Sequence, residues 1–513
     1  MHSFLSRHAD HVMGVLNGFD RVLFRGWLRS LAYAEGMGRF LNHIGVLLKD
    51  FGQYVQTTTE ELKRQSLLRA QELGRPIVYL PSSTVRKEDV ARRLLEQHPV
   101  DHGLIAVLTC VEPAPTFEIH RSREKKRLEL RMKPGKCLHL YHYFQHRTFG
   151  FCHVRLQTWF PFTGHVCSNG REWLTRQLEA RDIDVFGQEN GILWVEDFAA
   201  AQDLLDQQLH LDWTSELERL ALQVNPALPK ILRCRRPHHY WCAHQTEWAT
   251  DVLFGDQRSL AAVYRPLVLQ AITQLNRRDV LRFLGKKLHP AFLGEVQSDF
   301  KHRPEGIRVK HSVGKNSVKV YDKLGSVLRV ETTVNDPSAL QAPRPKKGSR
   351  QPVPQPLRKS VADLHRRATV CQEANERYLE ALADLDDPTP LKDLFDTICK
   401  RTRFHARPVR GLRPWDADDA RLLAAVNDGG FVLRGLQNKE IAAALFSTPA
   451  NCPRETGRRR AKVTRLLPLL RAHGVIRKIP RSHRYQVTTK GRRIIAAILA
   501  ARNASISTLL KAG

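Results

Sequence analysis

The sequence is short of acid. Across its 513 residues, 52 Asp and Glu stand against 82 Lys and Arg, a formal charge of +30. It also lacks any Cys-x-x-Cys pair among its nine cysteines, which removes the usual zinc-ribbon pattern and any reason to expect a disulfide framework. No stretch approaches the ~18 uninterrupted apolar residues of a membrane-spanning helix. The opening run MHSFLSRHADHVMGVL has neither the continuous apolar segment nor the small-residue cleavage site of a secretory signal. A reduced, cytoplasmic protein with no membrane partner is therefore expected.

What is present is a hydrophobic share of 42%, ordinary for a globular chain, and a length that suits several cores. A charge excess of this size points to nucleic acid. DNA is the expected partner and RNA the alternative. The expected fold class is multidomain α+β, with a mixed α/β N-terminal and central region containing antiparallel sheets and a C-terminal winged helix domain. Composition and periodicity divide the chain into an α/β domain (1–115), a β-rich α+β domain (116–230) and a block of helix plus three-stranded sheet (231–336). A Pro-rich basic linker (337–360), a helical connector (361–411) and the C-terminal domain (412–513) follow.

The most informative stretch is residues 306–335, GIRVKHSVGKNSVKVYDKLGSVLRVETTVN. It predicts three strands over 307–311, 317–322 and 327–334, with Leu324-Gly325-Ser326 as a hairpin connection. Strand residues alternate faces, so Val318 and Val320 oppose Lys319 and Tyr321. Likewise Leu328, Val330 and Val334 oppose Arg329, Glu331 and Thr333. One face then gathers Lys319, Tyr321, Arg329 and Glu331, joined by Arg308 and Lys310. A phenol, a carboxylate and several cations on a rigid sheet suit phosphodiester chemistry; a merely solvated or nucleic-acid-binding face is the alternative.

The run Asn316-Ser317-x-Lys319-x-Tyr321-Asp322-Lys323 followed by Leu328-Arg329-x-Glu331 resembles a block in replication initiators of rolling-circle plasmids and filamentous phages. The chain also resembles long bacterial proteins carried by mobile elements. The initiator resemblance covers about twenty residues and implies DNA nicking through a tyrosine and a divalent metal, Mg²⁺ or Mn²⁺. The family's His-hydrophobic-His metal motif does not occur here. On this reading Tyr321 would be the nucleophile, with Tyr378 as the spare candidate. Glu331, aided by Asp299 or Asp322, would hold the metal, and Arg329, Lys319 and His311 would stabilise developing charge. Lys323, Arg308 and Lys310 would contact nucleic acid.

Elsewhere, Asp20 at the start of one predicted strand (21–28) and Glu112 at the end of another (103–111) invite an RNase H-like reading, in which strand-end carboxylates bind two metals. A cation and aromatic cluster from Arg233 to Trp241 fits phosphate contact with base stacking. Residues 412–513 predict helix, strand, helix, helix and β-hairpin, the order of a winged helix-turn-helix. Arg458, Arg459, Arg460, Lys462, Thr464 and Arg465 lie near the start of its third helix, where they would reach the major groove. Arg481 and Arg484 lie on the wing. The functional expectation is a replication-type or mobile-element DNA-binding protein, in its enzymatic version a metal-dependent tyrosine nicking enzyme. The alternatives are a non-enzymatic DNA-binding regulator and an RNase H-like recombinase or nuclease.

Overall fold

The computed structural model describes residues 1–503 apart from 125, 189, 234–237, 274, 276, 286–295, 304–305, 346–350, 386–390, 428–434, 447, 449, 451 and 481. Strands β1 (Val12–Leu28), β2 (Ile77–Leu80), β3 (Gly103–Ser122), β4 (Arg127–His146), β5 (Gly150–Gln157) and β6 (Gly164–Asn169) come first. A separate hairpin, β7 (Val185–Gln188) and β8 (Gly191–Val195), is followed by β9 (His239–Phe254), β10 (Val296–Arg303), β11 (Gly306–Val313), β12 (Asn316–Lys323) and β13 (Val327–Val334). All but β7 and β8 join one mixed sheet in the order β10-β11-β12-β13-β9-β1-β6-β5-β4-β3-β2. The β2–β3 pair is parallel, and the other neighbours run antiparallel.

The 306–335 block folds as its alternation predicts. Lys319 pairs with Glu331 and Tyr321 with Arg329 across β12 and β13, while Val318, Val320, Leu328 and Val330 are buried on the other face. The connecting turn places Leu324 at φ 61° and Gly325 at φ 86°, a backbone handedness that glycine adopts freely. The merged polar face is not a solvated surface, however. Every residue of β13 is buried, because β9 covers its free edge and other elements cover both faces.

The boundaries expected at 115/116 and 230/231 do not separate sheets. Strand β3 runs through the first, and β1 pairs with β6 on one side and β9 on the other. The chain therefore builds one large core from what the sequence divides in three. The expected linker holds a two-stranded ladder, β14 (Gln341–Pro345) against β15 (Pro352–Pro356). The expected connector contributes the helix Leu364–Leu385, whose buried face belongs to the main core. Residues 346–350, and with them two linker lysines, lie outside the described residues.

The helix Leu364–Leu385 is fixed to the sheet by one polar side chain. Fully buried Asn375 donates to the carbonyls of Trp248 and Val330 at 3.2 and 3.0 Å and accepts from Thr332 Oγ1 at 2.7 Å. It thereby joins β9, β13 and the helix.

The C-terminal stretch has its own core, in which Leu423, Ile441, Val463, Leu470, Val475 and Ile495 meet. It comprises helices Ala417–Val426, Asn438–Leu445 and Pro453–Ala472, a ladder of Ile476–Lys478 against Tyr485–Val487, and helix Thr489–Asn503. Leu436 bridges to Tyr485 at the ladder's edge. The strand expected at 431–433 lies outside the described residues.

Replacing Asn375 with Ala leaves several buried polar groups without partners, which costs roughly 3 kcal/mol. The expected result is a lowered urea midpoint with an unchanged slope; an unchanged midpoint would show that the helix is held by apolar packing alone.

Candidate metal and nucleic-acid site

Three neighbouring strands, β1, β9 and β13, bring together Asp20, Glu247 and Glu331, whose carboxylate oxygens all lie within 4.8 Å of one another. Asp20 reaches the group through an irregularity in β1. Phe19 faces Trp248 and Arg21 faces Glu247, so Asp20 is an extra residue without an opposite partner. Asp20 and Glu331 are buried and Glu247 is half-buried.

Each carboxylate has different company. Asp20 accepts from Arg329 Nη1 at 2.9 Å and from Asn190 Nδ2 at 2.8 Å. Glu331 pairs with Lys319 Nζ at 2.6 Å and accepts from the Tyr321 hydroxyl at 3.0 Å. Among the described residues Glu247 accepts only the Gln245 amide, at 2.9 Å, and makes no ion pair. Burial and the Glu331 charge push its carboxyl up to about 7. Burial and the same charge push the Tyr321 phenol well above its ordinary value. Behind the triad, Asp251 is fully buried between Arg329 and Arg171. These two guanidiniums outweigh its burial and hold it ionised, below the usual carboxylate range.

An all-oxygen donor set of this kind suits Mg²⁺ or Mn²⁺. Metal–oxygen distances of ~2.1 Å put opposed ligands ~4.2 Å apart, so rotation of one carboxylate would close the set. Burial and, after it, the Glu331 charge disfavour an ionised Glu247, and a cation among the three carboxylates would offset both. Beside the triad lies a cavity of about 250 Å³ lined by Glu247, Arg308, Lys310, Lys315 and Lys319, with Asn316 among the polar remainder. The Arg308 Nε there is buried without a hydrogen-bond partner.

No protein-family model, curated protein or solved structure matches the chain. The site is thus read from its own geometry.

The structure gathers Tyr321, Arg329, Lys319 and Glu331 as the sequence suggests, with Arg308 and Lys310 on the same face and Lys323 at its far end. It does not bring in the remaining candidates. His311 is buried on the opposite face, bonded to Ser298 at 2.8 Å and Tyr378 at 3.0 Å, and burial lowers its pKa to about 4. Tyr378 is fully buried beside it, so neither group can reach the carboxylates. Asp322 points away from the Tyr321 face and accepts from the Gly325 N–H at 2.8 Å. Asp299 is exposed on β10, three strands from Glu331, or roughly 14 Å at ~4.8 Å per strand. Asp20 and Glu112 are separated by four strand spacings, roughly 19 Å. Glu112 is instead bound to Lys87 at 2.8 Å and Arg155 at 3.1 Å.

The missed residues are Glu247, Asp251 and Arg171. The first two carried a signal: HQTEWATDVLF alternates, putting Glu247, Ala249 and Asp251 on one strand face. Arg171 had none, since it enters from the helix Gly170–Glu179.

In the C-terminal stretch, Arg458, Arg460 and Arg465 are exposed on the helix Pro453–Ala472. Arg459 packs on Phe446 and pairs with Glu455. Lys462 pairs with Asp418 at 3.2 Å, Thr464 bonds Asn438 at 2.8 Å, and Arg484 pairs with Glu440 at 3.7 Å. Arg481, Arg235 and Arg236 lie outside the described residues.

The folded Glu247 holds its proton up to about pH 7, whereas its ordinary value is 4.5. Folding therefore takes up a proton between these values, and stability falls as pH rises through that window. Glu247→Gln is expected to raise the melting temperature at pH 8 and to lose that advantage by pH 4, measured by differential scanning calorimetry. A gain independent of pH would refute the assignment.

Proposed function

We propose that this chain binds DNA and cleaves phosphodiester bonds with a divalent metal held by Asp20, Glu247 and Glu331, as a replication-type or mobile-element protein. The observation that carries the proposal is the convergence of three carboxylates from adjacent strands beside a cavity lined by Arg308, Lys310, Lys315 and Lys319. Such an ion polarises a phosphoryl oxygen and activates an attacking oxygen. Lys319 and Arg308 supply positive charge where a phosphate would gain negative charge. The C-terminal helices and ladder act as a winged helix-turn-helix that selects the site, through the exposed cations of the helix Pro453–Ala472.

Tyr321 is the tyrosine next to the carboxylates and the candidate nucleophile. In that version its oxygen bonds to phosphorus as the P–O3′ bond breaks. The phenolic proton passes to a neighbouring carboxylate, and the departing 3′ oxygen takes a proton from solvent. In the hydrolytic version Tyr321 only orients Glu331, and a water attacks.

Purified protein is incubated with single-stranded and supercoiled DNA, with and without Mn²⁺, and resolved by denaturing electrophoresis. Metal-dependent nicking that disappears in Glu331→Gln is expected. Protein attached to the 5′ end, lost in Tyr321→Phe, selects the tyrosine version, and free ends that survive this substitution select water. Salt-sensitive binding without cleavage of any substrate would leave a DNA-binding regulator.

Metal binding has a separate readout. Millimolar Mn²⁺ at pH 8 is expected to raise the melting temperature by several degrees through preferential binding to the folded state. That rise should vanish in Glu331→Gln, and its persistence there would place the ion elsewhere.

A further inference from the structure

The polar face continues past the carboxylates along β1. Arg21, Leu23, Arg25 and Trp27 alternate onto one side of the strand, and across the ladder they face Glu247, Gln245, Cys242 and Tyr240. Arg25 therefore lies on the same face as the triad, roughly 13 Å from the level of Glu247 at ~3.3 Å per residue.

Arg25 is half-buried, and among the described residues it makes no ion pair and leaves its Nε buried without a partner. Among the described residues no carboxylate pairs with it, and the Cys242 thiol across the ladder is held neutral by its own burial. Arg155 already serves Glu112 and reaches the His165 ring at 3.0 Å, and its own Nε is likewise unbonded. Burial and the Arg155 charge lower the Arg25 pKa, as expected for a cation held without a counter-charge. Such a group is costly unless an anion completes it.

One step further, Trp27 and Tyr240 stand side by side with ring centroids 5.3 Å apart, both half-buried. The Arg29 guanidinium lies over Tyr240 at 4.1 Å, and Arg25 lies 6.0 Å from the Trp27 ring. Two cations thus flank a pair of aromatic rings at the end of β1, Tyr240 coming from β9 and Arg29 from the turn that follows β1. Aromatic side chains on a sheet stack bases whose faces are free, and paired bases inside a duplex do not offer theirs.

We propose that the β1 face is a track for a single polynucleotide strand, with a phosphate at Arg25 and a base on the Trp27–Tyr240 pair, leading to the carboxylates. The track rests on the assignment of this face to nucleic acid but not on cleavage.

The test is fluorescence anisotropy of the full chain with labelled oligo(dT), oligo(rU) and hairpin duplex of about 15 nucleotides, in EDTA. Trp27→Ala and Tyr240→Ala should each weaken single-strand binding ~5- to 100-fold, while Trp27→Phe keeps most of the affinity and excludes misfolding as the cause. Arg25→Gln should reduce the slope of log K against log salt by ~0.7, one phosphate on a single strand. The polymer bound more tightly, dT or rU, identifies the strand's sugar. Unchanged single-strand affinity in Trp27→Ala, or an equal loss on duplex, would overturn the track. Because no metal is present, a chain that never cleaves but shows this binding pattern keeps the track and loses the nuclease reading. A chain that cleaves while these variants bind normally does the reverse.

Discussion

The guanidinium of Arg329 holds the centre of the molecule together. It is fully buried, and it donates to Asp20 on β1, to Asp251 on β9 and to the Asn190 carbonyl at the tip of the β7–β8 hairpin. Residues 20, 190, 251 and 329 are remote in sequence and meet only at this planar fork, whose rigid donors fix the orientation of each acceptor. A buried ion pair gains little net stability over apolar packing, yet breaking one partner costs about 3–5 kcal/mol because a charge is left stranded. Its contribution here is therefore specificity. It sets the register of three strands and aims Asp20 toward Glu331.

Around that fork the charges are matched with one exception. Asp251 has two arginines, Asp20 has Arg329 and an amide, and Glu331 has Lys319 and a phenol. Glu247 has an amide and a like charge nearby. A network that served only stability would replace Glu247 with a neutral residue, since burial and repulsion both disfavour its ionised form. Local rules broken without compensation mark functional sites. The same logic applies to Arg25 and Arg308, each of which has a buried Nε with no hydrogen-bond partner among the described residues. The face thus carries an excess carboxylate at one point and excess cations around it, an arrangement that the proposed metal ion and polyanion would complete together.

The local sheet was legible in the sequence and its context was not. Alternation in 306–335 gave the strands, the turn at Gly325 and the shared face of Lys319, Tyr321, Arg329 and Glu331, because a period of two is local information. What hid the third carboxylate was distance. Nothing within β1 or β9 says that they are neighbours, or that β13 lies on the far side of β9. Asp20 was visible as a candidate but was matched with Glu112, since chain order offers no measure of strand order. His311 was misplaced for a simpler reason: its parity on β11 puts it opposite Lys310, on the helix side, where apolar packing and Tyr378 enclose it. One sheet and one core run through the three expected N-terminal segments, because turns and charged loops punctuate a large sheet as readily as they separate small ones.

The two sets of cations are physically unlike, and this shapes how each can act. Arg458, Arg460 and Arg465 are exposed, so their field is screened within about 8 Å at physiological salt. Charges of that kind chiefly raise encounter rates and hold a backbone loosely. Arg25 and Arg308 are partly withdrawn from water, where screening is weak and an unpaired charge is expensive. A phosphate reaching them would remove that cost, so on the same proposal their contribution would fall on the lifetime of the complex. On the nucleic-acid proposal, capture and retention fall to different parts of one chain: the exposed helix would gather the polyanion and the sheet face would keep it beside the carboxylates.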